Sequence, residues 1–245
     1  MNEQLRVLAV EAARYGAAVC LQQWGEPVAA QTKSAAGDVV TTVDRAAEEA
    51  VRAVLLSARP DDGVLGEELP EHIGAGPVQW VVDPLDGTTN YTRRIPYFAT
   101  SVAARSTADG SWLAGAVCAP ALGVLWSAAK NLGAQTDSGS GGNRLPLIMV
   151  ESSARLLGTG LSYDPSHRRR QVRELGALMT DYTDMRRFGA AAIDLCLVAQ
   201  GSLDAFVEDD LAIHDWAAGA LIAEEAGVRV SRPAGCATVL SALWS

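Results

Sequence analysis

The chain has 245 residues, 49% of them hydrophobic, a length that suits one large domain or two closely fused halves. Its 20 lysines and arginines against 29 aspartates and glutamates give a formal charge of −9. This balance disfavours nucleic acids and anionic membrane surfaces as partners, because both are polyanions. The chain shows neither a signal-peptide pattern nor an apolar run of about 20 residues, so we expect a cytoplasmic protein. Its four scattered cysteines predict neither disulfides nor a zinc site.

The first half of the chain predicts a helical hairpin followed by strands. Apolar residues at steps of three and four predict an amphipathic helix from Gln4 to about Trp24. A second helix is expected to begin with Asp44 as its N-cap and to end at Ala58, before Pro60. The run WVVDP predicts a buried strand that Pro84 ends. Further strands are predicted over 97–105, 112–118 and 122–128.

The second half alternates strand and helix signals. Residues 131–143, NLGAQTDSGSGGN, predict a flexible segment between two halves of one domain, about 1–130 and about 144–245. Strands are predicted over 156–161 and 203–207, and helices over 167–180, within 186–201 and over 215–226. This mixture indicates a layered α/β or α+β architecture.

The densest cluster of chemically capable residues is WVVDPLDGTTNY, residues 80–91. Asp83 and Asp86 leave an apolar strand three residues apart, and such close carboxylates repel each other unless a divalent cation lies between them. Gly87 and Thr88 follow with backbone N–H groups and a hydroxyl suited to a phosphate. An ordinary Asp-Pro and Asp-Gly surface turn is an equally weighted interpretation of the motif in isolation, although the preceding apolar strand weakens it.

Two further acids are weaker candidates when each is taken alone. Glu67 belongs to a GEE turn, and glutamate pairs on loops are usually solvated. Asp215 opens an apolar helix, where aspartate most often serves as the N-cap, with metal ligation as the alternative. A histidine metal site at His214 is not expected, because the three histidines are scattered. The chain also lacks the P-loop, GxSxG, HExxH and post-strand GxGxxG motifs.

The GEE turn, WVVDPLDGTTNY and the late helix at Asp215, in this order, resemble the inositol monophosphatase family. DVVTTVD at 38–44 and RRFGAAAIDLCLVAQGSLDAFVE at 186–208 extend the resemblance, which covers the chain from about Lys33 to Gly227. The resemblance implies a layered αβαβα sandwich and a homodimer. It also implies Mg²⁺-dependent hydrolysis of a small phosphate monoester by a metal-activated water.

The family likeness assigns roles residue by residue. Two or three Mg²⁺ ions would be held by Glu67, Asp83, Asp86, Asp215 and the backbone carbonyl of Leu85. The catalytic groups would be Glu67, Asp83 and Thr88. The substrate would contact Asp86, Gly87, Thr88, Gly189, Ala190 and Glu208. Lys33 and Asp44 would lie behind the metals, and lithium inhibition is expected by analogy.

The substrate stays open at this stage. Ala190 stands where the family usually has serine or threonine, which removes one expected polar contact. The candidates are inositol monophosphate, a sugar bisphosphate or polyol phosphate, histidinol phosphate and a nucleoside 3′-phosphate. The TTN ending of the central motif resembles the inositol-phosphate branch more than the nucleotide branch. A regulatory partner of transcription complexes that keeps the fold is the rival interpretation, and a phosphodiesterase is a weaker third.

Overall fold

The computed structural model describes residues 1–26, 30–32, 39–139, 142–146, 153–233 and 239–244. Its helices are α1 (Asn2–Gln23), α2 (Thr42–Ala58), α3 (Thr88–Thr92), α4 (Pro165–Leu178), α5 (Ala191–Gln200) and α6 (Ile213–Glu225). The strands of the first half are β1 (Ala30–Thr32), β2 (Val39–Thr41), β3 (Gly63–Gly66), β4 (Val78–Asp86), β5 (Ala99–Ser106), β6 (Trp112–Ala119), β7 (Val124–Ala129), β8 (Gly133–Asp137) and β9 (Gly142–Arg144). The strands of the second half are β10 (Leu156–Thr159), β11 (Asp184–Arg186), β12 (Ala205–Asp209), β13 (Arg229–Ser231) and β14 (Val239–Leu243).

The strands form two large sheets and one short hairpin. The larger sheet has the order β3-β4-β5-β6-β7-β8-β9, with β3 parallel to β4 and the other neighbours antiparallel. The smaller sheet has the order β11-β10-β12-β14-β13, and β1 pairs with β2 alone. Within the described residues, no helix is both long and apolar enough to cross a membrane.

The helices separate and cover these sheets in layers. Helices α1 and α2 pack on one face of the larger sheet, while α5 and α6 fill the space between the two sheets. Leu175 of α4 packs against Leu157 and Ala205 on the outer face of the smaller sheet. Apolar residues of β4 alternate between these layers, because Trp80 and Val82 face α1 and α2 whereas Val81 faces the inter-sheet core. The predicted αβαβα sandwich is confirmed.

Two predicted helix starts are corrected by the capping contacts. The N-cap of α2 is Thr41, whose hydroxyl accepts a hydrogen bond from the Val43 N–H at 3.1 Å, so the prediction of Asp44 is wrong. Asp44 is instead the third residue of the helix, and its carboxylate accepts the Thr41 N–H at 2.8 Å. Likewise α6 begins at Ile213, and Asp215 accepts the Ala212 N–H at 2.6 Å from the first turn.

One predicted strand end is also wrong. Pro84 does not end β4, which continues to Asp86 because a register shift against β5 accommodates the intervening residues. Within the segment predicted as flexible over 131–143, residues Gly133–Asp137 form β8 on the far side of β7, and β9 begins at Gly142 and pairs with β8. Ala134 and Thr136 alternate into the buried face there, a pattern that the surrounding glycines and serines obscure. Residues 140 and 141 lie outside the described residues.

Candidate active site

The bulge at the end of β4 positions the two central aspartates. The β4–β5 register shifts between Asp83 and Asp86, and both carboxylates reach the same cleft although the residues are only 2% and 8% exposed. Asp83 Oδ1 accepts the Leu85 N–H at 3.0 Å, and Asp86 Oδ2 accepts the Ala192 N–H from the first turn of α5 at 2.8 Å. Both side chains are therefore held by backbone contacts in buried surroundings.

Glu67 approaches the cleft from the loop after β3. Glu48 of α2 holds this loop, because its Oε2 accepts the Glu68 N–H at 2.7 Å while its Oε1 accepts from Arg52 Nε at 2.8 Å. Gly66 makes room for the contact, since a Cβ at that position would lie 1.9 Å from Glu48 Oε1. The Glu67 side chain is 24% exposed and that of Asp215, across the cleft, is 25% exposed. Glu48 therefore fixes the backbone of the loop from which the Glu67 side chain reaches the cleft.

The cleft has a volume of about 650 Å³ and collects most of the residues predicted from the sequence. The predicted residues that line it are Glu67, Asp83, Leu85, Asp86, Gly87, Thr88, Gly189, Ala190, Glu208 and Asp215. Asp44 lies behind the lining, with its Oδ1 3.0 Å from the Thr88 hydroxyl. Lys33 lies outside the described residues.

The glycine turn after β4 brings the backbone of the two halves together. Gly87 has a φ of 89°, and a Cβ there would lie 2.9 Å from the Tyr97 carbonyl oxygen and 3.3 Å from the Ala190 methyl. Asn90 Nδ2 donates to the carbonyls of Tyr97 and Phe188, each at 2.9 Å. The wall formed by Gly87 and Thr88 is therefore locked against the segment that carries Ala190.

The buried acids of the cleft disfavour each other's ionised forms. Burial, followed by the charges of Glu67, Asp86 and Asp215, raises the pKa of Asp83 well above its usual range. Burial and the charge of Asp215 do the same to the pKa of Asp86. Burial also raises the pKa of Glu208 to about 8, against a lowering by Arg187. Among the described residues that line the cleft, Arg187 is the single arginine or lysine, and a bound cation would favour the ionised forms of these carboxylates at neutral pH.

The donor set fits a hard divalent cation. Carboxylate and carbonyl oxygens are the ligands that Mg²⁺ prefers, and Glu67, Asp83, Asp86, Asp215 and the Leu85 carbonyl offer only such donors. Within the described ranges, no three histidine, cysteine or acidic side chains are already gathered as a metal site. Ionised carboxylates that share a cleft repel each other, and a bound cation would relieve that repulsion.

The cleft also includes residues that the sequence did not single out for it, among them His214, Arg187 and Asp194. His214 Nε2 lies 3.8 Å from Glu67 Oε1, and only its adjacency to Asp215 hinted at this position. Arg187 lines the cleft beside Gly189. Asp194 is 1% exposed in an apolar helix, accepts the Tyr97 hydroxyl, and has a pKa that burial raises to about 7. An aspartate inside an apolar run was the available signal for it.

These pKa values predict a stability that falls as pH rises in the metal-free protein. A folded-state pKa above the unfolded value means that the folded protein binds more protons between the two values, so unfolding becomes easier with rising pH. For Asp194 and Glu208 the window runs from about pH 4 to about 7 and 8. We expect the free energy of unfolding to decline by on the order of 1 kcal/mol per pH unit for each such carboxyl.

Urea unfolding of chelator-treated protein between pH 5 and 8.5 measures this decline, and added Mg²⁺ should oppose it most at the alkaline end. A metal-free protein that gains stability over the same range would contradict the assignment of raised pKa values. The Asp194→Asn variant should show a shallower decline, because one of the titrating carboxyls is absent.

Comparison with known proteins finds one matching family profile and several relatives of this chain. The sequence profile described as "Inositol monophosphatase family" matches residues 1–243. An inositol-1-monophosphatase of Mycobacterium leprae is 43% identical over 216 residues, which are 84% of this chain and 72% of that protein. The Nus factor SuhB of Salmonella typhimurium is 37% identical over 228 residues, 91% of this chain and 83% of that protein.

The fold agrees with solved structures of the same kind. The crystal structure of extragenic suppressor protein suhB from Bartonella henselae superposes with a TM-score of 0.87 at 34% identity. The match covers 98% of this chain and 93% of that one. The layers described above are therefore shared along almost the whole chain.

Proposed function

Because this chain belongs to the inositol monophosphatase family, whose members' names support a phosphatase-type function, we propose that it hydrolyses a small phosphate monoester with the help of Mg²⁺. The observation that carries this proposal is the convergence of Glu67, Asp83, Asp86 and Asp215 on one cleft beside the Gly87–Thr88 turn. Raised pKa values at Asp83 and Asp86 support a bound cation beside these two carboxylates.

The four carboxylates and the Leu85 carbonyl would hold two or three Mg²⁺ ions. Bound Mg²⁺ would supply Lewis-acid activation of water, neutralise the phosphate charge and stabilise the leaving oxygen. The residues of the chain would position the water and the phosphate ester. Positioning and electrostatic stabilisation account for most of the catalysis of phosphoryl transfer.

Thr88 and Glu67 are the groups proposed to orient the attacking water. The Thr88 hydroxyl lies 3.0 Å from Asp44 Oδ1 and 2.9 Å from the Leu85 carbonyl oxygen. Its single proton is donated to one of these acceptors, so a lone pair on Oγ1 can accept a proton of the water. The Glu67 carboxylate can accept the other. In-line attack would form a bond between the water oxygen and phosphorus as the P–O ester bond breaks, and the proton that the water loses would pass to the leaving oxygen, giving an alcohol and inorganic phosphate.

The opposite wall of the cleft favours a substrate that carries hydroxyl groups. The Glu208 carboxylate lies against Gly160, where a Cβ would be 2.0 Å from its oxygens. A carboxylate in this position can accept hydrogen bonds from the hydroxyls of a polyol. Ala190, next to Gly189 in the cleft lining, contributes a buried methyl group where the family usually has the hydroxyl of a serine or threonine. We therefore place polyol and inositol phosphates first among the candidate substrates.

Phosphate release from a panel of esters tests the proposed function. The panel comprises inositol 1-phosphate, a sugar bisphosphate, histidinol phosphate and adenosine 3′,5′-bisphosphate, each with Mg²⁺. We expect turnover with preference for the polyol ester, and a loss of that preference in Glu208→Gln. Cleavage of a phosphodiester without release of phosphate from any monoester would overturn the proposal.

A regulatory binding role is the second candidate, because one relative is named a Nus factor. Co-purification of the folded chain with transcription proteins, in both wild type and a catalytically silent variant, would favour this role. The homodimer expected from the resemblance and the cytoplasmic location expected from the sequence remain proposals, and sedimentation velocity tests the first of them.

A further inference from the structure

Tyr163 forms a contact across one side of the cleft and has no part in the proposed reaction. It belongs to the loop between β10 and α4 in the second half of the chain, whereas Thr89 belongs to α3 in the first half. The two hydroxyl oxygens lie 3.0 Å apart, so one hydroxyl donates a hydrogen bond to the other. Both residues line the cleft. The contact is therefore a side-chain bridge between the two halves, directly beside Thr88.

The loop that carries Tyr163 is held in place by α4. Arg168 Nη1 donates to the carbonyl oxygens of Ser162 and Tyr163 at 3.0 and 3.1 Å. The side chain of Gln171, which is 6% exposed, accepts the Ser162 N–H at 2.8 Å. Because these contacts fix the backbone, the position of the phenol depends on its side-chain torsions and on the bond to Thr89.

The same loop borders the space between the proposed phosphate site and the opposite wall. At the start of the loop, Gly160 lies against the Glu208 carboxylate, the proposed acceptor for substrate hydroxyls. Three residues later, Tyr163 meets Thr89. A phosphate ester that extends from the Gly87–Thr88 turn to Glu208 would therefore lie beside the tyrosine ring. The bridge limits the width available to the alcohol part of that ester.

We infer that Tyr163, through its hydrogen bond to Thr89, determines which phosphate esters the cleft accepts, and that it favours compact polyols over wider alcohols such as nucleosides. The inference rests on the proposed function and deepens it, because it assigns a source of substrate selectivity. A wide alcohol would have to displace the ring and break the hydrogen bond, which would weaken its binding. A compact polyol would leave the bridge intact.

The relative hydrolysis of two phosphate esters tests this inference. The ratio of kcat/KM for adenosine 2′-phosphate to kcat/KM for inositol 1-phosphate is measured with Mg²⁺ in wild type, Tyr163→Phe and Tyr163→Ala. Phenylalanine keeps the ring and removes the hydroxyl, whereas alanine removes both. Tyr15→Ala is the matched control, because Tyr15 is 56% exposed on α1 and does not line the cleft. Since both esters are given to the same preparation, a partial loss of folded protein cancels from the ratio.

We expect the ratio to rise about tenfold or more in Tyr163→Ala and about threefold in Tyr163→Phe, because each variant removes part of the barrier to a wide alcohol. The ratio should keep its wild-type value in Tyr15→Ala. Equal ratios in wild type and both Tyr163 variants would overturn the inference and leave the proposed function standing, as would a wild type that already prefers the adenosine ester. A wild-type protein that releases phosphate from neither ester would overturn both.

Thr89→Val tests whether the hydrogen bond is the cause of the selectivity. Valine keeps the shape of threonine and lacks the hydroxyl, so this variant should raise the ratio as Tyr163→Phe does. Combined with Tyr163→Phe it should change the ratio no further, because the bond is already absent. An equal further rise in the double variant would overturn the role assigned to the bridge.

Discussion

Replacing Asp86 with asparagine should lower Mg²⁺-dependent phosphate release about 1,000-fold, the equivalent of about 4 kcal/mol of transition-state stabilisation. Asp86 is buried at the end of β4, and its Oδ2 accepts the Ala192 N–H at 2.8 Å. Asparagine keeps the size of the side chain and an oxygen for that contact, but it removes the charge proposed to hold the cation. Steady-state phosphate release and Mg²⁺ binding on the same preparation measure the effect.

Asp86→Asn should lose activity without losing stability. Burial and the charge of Asp215 raise the pKa of Asp86, so the ionised side chain is unfavourable in the metal-free protein. Asp86→Asn should therefore unfold at an equal or higher temperature than wild type in chelator at pH 8. Asp109→Asn makes the same chemical change at an exposed turn outside the cleft and should keep full activity. An active Asp86→Asn protein would contradict the assigned role.

Removing the Thr88 hydroxyl should lower kcat about 100-fold, the lower end of what positioned proton transfer contributes. In Thr88→Ala the cleft loses the oxygen that lies between Asp44 Oδ1 and the Leu85 carbonyl. We have not assigned Thr88 to a metal, so Mg²⁺ affinity should stay within about threefold of wild type. Saturation kinetics in substrate and in Mg²⁺ separate the two effects.

Thr88→Ser is the matched variant, because it restores the hydroxyl and removes only a methyl group. It should recover activity to within about tenfold of wild type. Equal losses in the alanine and serine variants would show that Thr88 acts through packing of the turn. Weaker Mg²⁺ binding in Thr88→Ala would show that its hydroxyl supports a cation instead of the water.

The layered fold and the central motif could be predicted because their signals are local. Asp83 and Asp86 follow an apolar strand, and a strand buried on both faces reads as a continuous apolar run. Strands β8 and β9 were not predicted over the glycine-rich stretch 131–143, because they form by pairing of β8 with β7 and of β9 with β8. That pairing depends on a neighbour in space, which composition does not report. The site residues themselves remain predictions, although the cleft brings ten of them together.

The residues missed by sequence reasoning owe their place to tertiary packing. His214 and Glu67 are far apart in the chain, and the docking of α6 on the larger sheet brings their side chains to 3.8 Å. Arg187 directly follows β11 and Asp194 lies in the first turn of α5, and both line the cleft.

The most direct test of the central claim is phosphate release from inositol 1-phosphate measured against free Mg²⁺, starting from chelator-treated protein. We expect no release without the cation, a saturable rise as Mg²⁺ is added, and reversal on renewed chelation. Asp86→Asn should fail to release phosphate at all Mg²⁺ concentrations. Release that continues undiminished in chelator, or that Asp86→Asn matches, would contradict a cation held by this carboxylate cluster.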